Sequence, residues 1–281
     1  MIREVSVQTI SDQIRQMCID VNYDLSEDMK QLLSDARDRE EGETAKKVLN
    51  TLEENLRIAS SDRIPICQDT GMAVVFLEIG QDVHLTDGYL EDAVNDGVRR
   101  GYRDGYLRKS VVADPLERKN TRDNTPAVIH TRIVPGDQVK ITVAPKGFGS
   151  ENMSRIFMLK PAQGIEGVKE AVLTAVADAG PNACPPMVVG VGIGGDFEKS
   201  ALLAKQALIR PADEPAETGQ LKKLEEELLE RINCLGIGPA GLGGRITALA
   251  VHIKTYATHI AGLPVAVNIC CHVNRHISRE V

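Results

Sequence analysis

Pro65-Ile66-Cys67-Gln68-Asp69-Thr70-Gly71-Met72-Ala73-Val74-Val75-Phe76-Leu77-Glu78-Ile79 is the stretch at which the chain changes period. Before it, residues 5–21, 27–33 and 44–60 carry apolar side chains three and four apart, the spacing of amphipathic helices. Ser60-Ser61-Asp62 and Pro65 break that pattern, and residues 65–71 read as a loop. Residues 72–79 then form a β-type run of strand length, apolar except for Glu78. Working outward, residues 37–47 are dense in charge and are expected to be a solvated helix end. Downstream, residues 87–107 return to helical spacing and 111–125 are polar and loop-like. Residues 127–134 and 138–144 read as two strands paired around Pro135-Gly136-Asp137. Helices are expected at 164–179, 197–208 and 219–233, and strands at 186–191, 247–254 and 264–269. Helices come first and strands are interspersed later, which predicts an α+β fold: a helical N-terminal part followed by mixed helices and strands. Residues 1–281 show neither a repeat nor a low-complexity linker, so they are expected to form a single domain of one or two lobes.

Composition removes several functions. The formal net charge is −7, from 33 Lys and Arg against 40 Asp and Glu, so no basic footprint for nucleic acid exists. No apolar run approaches the ~20 residues of a membrane-spanning helix. Arg3, Glu4, Asp12 and Arg15 interrupt the first eighteen residues, which therefore lack the apolar core of a signal peptide. A cytoplasmic protein is expected. Aromatic residues make up 3% and Trp is absent, so stacking platforms for bases or sugars are not foreseen. In a reducing compartment Cys18, Cys67, Cys184, Cys234, Cys270 and Cys271 are expected to be thiols, and none stands in a C-x2-C pair.

Two segments match the dinucleotide spacing G-x-G-x-x-G. Gly236, Gly238 and Gly241 follow a helix and precede a strand, the reverse of what that motif needs. Gly190, Gly192 and Gly195 lie between a strand and a helix, with Asp213 and Glu214 near the distance of a ribose-binding acid. No second strand–helix–strand unit follows them, which argues against an NAD-type oxidoreductase.

The cysteines point elsewhere. Cys67 sits in PICQDTG, Cys184 in PNACPPM and Cys271 in NICCHVNRH, each in or beside a breaker-rich or strand-end segment. Thiolates on three separate loops can converge on an iron–sulfur cube, and three thiolates leave one of its four irons without a protein ligand. An iron left open in this way is a Lewis acid for hydroxyl and carboxylate oxygens. Taken singly, each cysteine also fits a small buried hydrophobe.

The strings PICQDTG, APKGFGSEN, ACPPMVVGVGIGG, GIGPAGLGG and THIAGLPVAVNICCHVNR, in that order, resemble the signature stretches of class I fumarate hydratases. Specifically, they are similar to the alpha subunit of the two-subunit form and to the alpha subunit of L-tartrate dehydratase. The resemblance runs from about Cys67 to the C-terminus. It implies a 4Fe–4S cluster held by Cys67, Cys184 and Cys271. Cys270 competes for the third place, but the family pattern selects Cys271, and neighbouring strand residues face opposite ways, so at most one of the pair is expected to face the cube. Cys18 and Cys234, on helical segments outside the motifs, keep the buried-hydrophobe reading.

The resemblance further implies Asp69 and His259 as catalytic residues. It implies Gln68, Asp69, Arg108, Lys146, Gly147, Gly149, Ser150 and Asn152 as contacts to the substrate, a small dicarboxylate. These residue types suit that role. Gln68 can donate to a carboxylate, Asp69 can exchange a proton, and the Arg108 fork matches two oxygens. Glycines at 147 and 149 let backbone N–H groups approach an anion, with Ser150 and Asn152 as further donors. Arg108 alone would read as one more solvated charge among Arg99, Arg100, Arg103 and Lys109. The implied reaction is reversible hydration of fumarate to L-malate, with L-tartrate dehydration and a non-catalytic, cluster-bearing assembly subunit as alternatives. Single-chain members of the family carry a further C-terminal domain with additional cations and a threonine base. Because this chain stops at Val281, a separate beta subunit is expected to complete the site, in an assembly of two alpha and two beta chains.

Overall fold

The computed structural model describes residues 2–212 and 214–281. The fold is α+β, and the chain divides into two compact units, each discontinuous in sequence. One comprises residues 1–26, 56–148 and 275–281; the other comprises 27–55 and 149–274. The elements in order are β1 (Arg3–Ser6), α1 (Val7–Tyr23), α2 (Glu27–Arg39), α3 (Glu43–Asp62), β2 (Met72–Gly80), β3 (Val83–Thr86), α4 (Leu90–Asp104), β4 (Val128–Val134), β5 (Val139–Lys146), α5 (Phe148–Glu151), β6 (Arg155–Leu159), α6 (Gly164–Ala179), β7 (Met187–Gly195), α7 (Phe197–Leu208), α8 (Gly219–Asn233), β8 (Ala248–Thr258), β9 (Leu263–Cys270) and β10 (Ile277–Glu280). Among the described residues, no helix is long and apolar enough to cross a membrane.

In the first unit, a four-stranded sheet has the order β10-β5-β2-β4. β2 pairs parallel to β4 and antiparallel to β5, so the two strands expected to pair around Pro135-Gly136-Asp137 are instead separated by β2. The physical reason lies in the side chains. β2 is apolar on both faces and buried along most of its length, which suits a central strand, whereas β4 is largely exposed and suits an edge. α1 and α4 cover one face, with Ile10, Ile14, Met17, Val94, Val98 and Tyr102 packed against Val75, Leu77, Val139, Ile141 and Val143. Cys18 is fully buried in this layer, and burial pushes its thiol up to about 12, in keeping with a small core hydrophobe.

The second unit repeats the strand pattern with order β6-β9-β7-β8, β7 running parallel to β8 and antiparallel to β9. α6 and α8 supply Val172, Val176, Leu224, Leu228 and Ile232 to a core with Val189, Val191, Val251, Val267 and Ile269. The equivalence of the two sheets lies in topology and has no counterpart in repeated sequence.

Gly190 and Gly192 are strand residues of β7 and form no nucleotide-binding turn. A Cβ on Gly192 would lie 2.1 Å from the Ser200 carbonyl oxygen, and one on Gly190 would lie 2.3 Å from that of Ala204. These glycines let α7 lie directly on the sheet, which accounts for the pattern without a dinucleotide. Gly236, Gly238 and Gly241 stand between α8 and β8, as the sequence order indicated. Asp213 lies outside the described residues.

Two expectations about polar residues are corrected here. Cys234 is exposed, because it caps the C-terminus of α8 instead of facing the core. Within the charged stretch 37–47, Glu40 is only 1% exposed. Its Oε1 accepts from the Glu41 and Gly42 N–H groups at 2.9 and 3.0 Å, and its Oε2 accepts from Arg245 and Ile246 at 2.8 and 3.1 Å. Burial opposes ionisation, but the four backbone donors outweigh it and hold the carboxyl below the usual range. A group lowered in the folded state stabilises above its unfolded pKa of about 4.3, and that stability is lost as pH falls through the folded value. Glu40→Gln is therefore expected to cost about 2–4 kcal/mol at pH 7. The deficit should narrow on acidification below pH ~4, as Glu40 itself protonates; urea titrations of both proteins at neutral and acidic pH check this, and an unchanged deficit would contradict the ionised clamp.

Candidate active site

The first-cysteine loop is built into the first unit at both ends. Ile66 is 5% exposed and its N–H donates to the Asn22 carbonyl of α1 at 2.9 Å. Beyond it, the Asp69 N–H points at Cys67 Sγ over 3.4 Å. Asp69 Oδ1 accepts from Gly71 N–H and Oδ2 from Phe148 N–H, both at 3.0 Å. The carboxylate thus joins the CQDTG loop to the start of the glycine-rich segment. Gly147 fits over it because a Cβ there would sit 3.0 Å from Oδ2. Gly71 has φ +76°, and a side chain on it would strike the Lys146 backbone at 2.7 Å.

Thr70 is buried beneath this loop. Its Oγ1 accepts from Arg108 N–H at 2.9 Å and donates to the Arg108 carbonyl at 3.2 Å, which fixes the Arg108 backbone beside the loop and leaves its side chain exposed. The Tyr102 hydroxyl lies 2.8 and 2.9 Å from the carbonyls of Thr70 and Gly71, and Asn124 donates to the latter at 3.2 Å. Burial pushes the Tyr102 phenol well above its ordinary value, so it is a donor across the working pH range. Gln68 is exposed at the loop tip, and Lys146 is 6% exposed with Nζ donating to the Gly147 carbonyl at 3.3 Å. Arg99, Arg100 and Arg103 of the basic stretch are ion-paired to Asp123, Asp96 and Asp104, whereas Arg108 has no ion pair among the described residues. Gln68, Asp69, Arg108, Lys146 and Gly147 are thus brought onto one unit. Thr70, Tyr102 and Asn124, which support them, carried no recognisable signal in the sequence beyond Thr70's place in the motif.

The second unit carries the other two cysteines. Cys184 follows a short 3-10 turn and holds a left-handed conformation, φ 53° and ψ 62°, that leaves it exposed. Cys270 is the last residue of β9, paired with Val188 and 4% exposed, while Cys271 lies past the strand end and is half-buried. His272, unassigned from sequence, lies with Nδ1 3.1 Å from the Cys184 carbonyl oxygen, so the ring N–H ties the second-cysteine loop to the residue after the third cysteine. Ser150 is buried and Gly149 and Asn152 are exposed in the same unit, at the start of its chain segment. Among the described residues, no three His, Cys, Asp or Glu side chains stand already grouped at metal-binding spacing.

His259 is not brought to Cys271 within the unit. It is exposed in the turn between β8 and β9, where Nδ1 accepts from Ala261 N–H at 3.2 Å. The eight residues of β9 hold it roughly 25 Å from Cys271. It borders instead a cleft of about 600 Å3 with Asp196, Lys199, Tyr256 and Thr258.

The donor chemistry suits an iron–sulfur group. The three cysteines of the motifs are on loops or a strand end, whereas Cys18 and Cys270 are buried in the two cores. The fumarate hydratase (fumerase) family profile matches residues 11–280. A chain of Methanocaldococcus jannaschii, provisionally named L(+)-tartrate dehydratase subunit alpha, is 40% identical over 278 residues, covering 97% of each chain. Chains named L(+)-tartrate dehydratase subunit alpha from Escherichia coli K12 and Shigella sonnei are each 30% identical over 276 residues, covering 97% of this chain and 91% of theirs. On that match, which runs through every motif quoted above, the chain belongs to the fumarate hydratase family of hydro-lyases.

Proposed function

We propose that this chain is the cluster-carrying alpha subunit of a cytoplasmic hydro-lyase that hydrates fumarate reversibly to L-malate, with Cys67, Cys184 and Cys271 holding a 4Fe–4S cluster. The observation that carries the reading is the His272–Cys184 hydrogen bond, which joins two of the three cysteine segments while Cys270 turns into the core. When bound, the cluster supplies a Lewis-acidic iron that eases departure of the substrate hydroxyl.

The chain's own residues then do the following. Arg108, anchored by Thr70 and exposed, offers its fork to one substrate carboxylate. Gln68 donates from the tip of the loop. Asp69 holds the glycine-rich segment through Phe148 N–H, and because each carboxylate oxygen keeps a second lone pair, it can also take a proton from the attacking water in hydration and return it to the departing hydroxyl in dehydration. Lys146 and Gly147 on the one unit, and Gly149, Ser150 and Asn152 on the other, are the proposed donors to the anionic substrate. His259 is kept as a proposed catalytic group that a single chain holds at the other end of β9. A beta subunit, in an assembly of two alpha and two beta chains, would bring the remaining cations and the base for the carbon-bound proton. The relatives' names, all "subunit alpha", support a partner chain.

A second reading, dehydration of L-tartrate, is favoured by the names of those same relatives. Both reactions join a hydroxyl-bearing carbon to its alkene by loss of water between two carboxylates, and they differ only in the second hydroxyl. Anaerobic assay of the chain with its beta partner on fumarate and L-tartrate, side by side, decides between them. A kcat/KM at least tenfold higher for fumarate is expected; the reverse ratio would establish the tartrate reading, and no turnover of either would overturn both.

A further inference from the structure

Arg275 is 5% exposed, and a guanidinium keeps its charge at any pH a protein survives. Its Nη2 donates to the Asp69 carbonyl oxygen at 2.5 Å. Its Nε and Nη1 are buried with no hydrogen-bond partner among the described residues. The carboxylate of Asp69 does not serve it, since both oxygens are turned to Gly71 and Phe148. A buried cation with two idle donors is costly unless an anion comes to it, and such groups mark an ion or ligand that completes the site. What lies next to it is the first-cysteine loop: Asp69 is two residues from Cys67 in sequence, and its N–H already points at the Cys67 sulfur. Arg275 also follows Cys271 by only four residues in the sequence.

We propose that Arg275 is a positioning residue for the iron–sulfur group: it fixes the Cys67 loop through the Asp69 carbonyl and gives its remaining positive charge to the negative charge that thiolate ligation brings there. This rests on the cluster assignment above. The surrounding polar partners of a metal group orient its ligands and tune its affinity and potential, and their loss costs about 10- to 100-fold in affinity. A cation held beside the group favours its reduced, more negative state. Neutralising Arg275 should therefore loosen the cluster and lower its reduction potential, and a lysine at the position should restore the potential more than the loop geometry.

The test uses the full chain with its beta partner, reconstituted anaerobically as wild type, Arg275→Lys and Arg275→Met. Iron release to a chelator, the cluster's midpoint potential by electron paramagnetic titration, and thermal unfolding of the unloaded proteins are measured for each. Expected are iron release at least tenfold faster in Arg275→Met with a lower midpoint, and a midpoint in Arg275→Lys closer to wild type. Where Arg275→Met does not fold, the comparison of Arg275→Lys with wild type decides: iron release in the lysine protein no faster than in wild type overturns the proposal. Equal release and potential in all three, with a lower melting temperature only in the methionine protein, makes Arg275 structural and overturns it too. A wild type that takes up no iron or sulfide overturns the cluster assignment itself, an outcome distinct from any difference among the variants.

Discussion

Cys67→Ser, Cys184→Ser and Cys271→Ser are each expected to leave the chain folded and without a cluster, and to reduce activity with the partner to background. A hydroxyl is a poor replacement for thiolate toward iron, and three ligands leave no redundancy. Lewis-acid stabilisation is worth several kcal/mol of barrier, so the loss should be roughly 1,000-fold or more. The controls are as informative. Cys234→Ser, on an exposed helix cap, should change nothing. Cys18→Ser places a hydroxyl in the apolar layer between α1 and the sheet and should cost about 1–3 kcal/mol of stability while keeping the cluster. The decisive pair is Cys270 and Cys271. Cys270 is held in the core by its pairing with Val188, so Cys270→Ser should destabilise modestly and retain iron and sulfide, while Cys271→Ser loses both. Iron and acid-labile sulfide per chain after anaerobic reconstitution measure this. Retention in Cys271→Ser with loss in Cys270→Ser would show that the ligand was assigned to the wrong neighbour.

The elements legible in the sequence were those whose period dominates their environment. α6, α7 and α8 have the expected bounds because each sets one apolar stripe against a sheet, with Thr218 and Asp196 capping two of them. β1, β3, β6 and β10 went unread. Each is four or five residues long and partly exposed, too short for alternation to stand out, and each is defined by the neighbour it pairs with. The order of strands was also hidden. Proximity in sequence suggested that β4 pairs with β5, whereas burial of β2 on both faces puts it between them. In the candidate site, motif residues such as Cys67, Asp69 and Gly147 carried their own chemical signatures. Thr70, Tyr102, His272 and Arg275 act through contacts 31 to 206 residues away in the chain, which no local pattern encodes. Glu40 shows the same limit, since in a run of charges nothing marks the one carboxylate that folds inward onto residues 245 and 246.

The second large effect concerns what the chain does alone. The cluster-loaded chain without its partner is expected to turn over neither fumarate nor L-tartrate. Elimination of water needs a base for a proton on carbon and positive charge at both carboxylates. Of the cations proposed to contact the substrate, Arg108 is exposed, while Lys146 is buried with its ammonium on the Gly147 carbonyl, and neither is a base when protonated. Asp69, the one carboxylate in the loop, has both oxygens engaged by backbone N–H groups, which fixes where it points. Holding reacting groups in place can contribute roughly 7–11 kcal/mol, and that is forfeited when half of them are missing. The relatives' common designation as an alpha subunit agrees with a divided site. The direct measurement is an anaerobic titration of the cluster-loaded chain with increasing beta partner, following fumarate hydration and L-tartrate loss in parallel. The account predicts no activity at zero partner and a rise that saturates near one partner per chain, absent in the Cys271→Ser protein. Substantial turnover by the lone chain, or full activity of the pair when Cys271 is replaced, would contradict it.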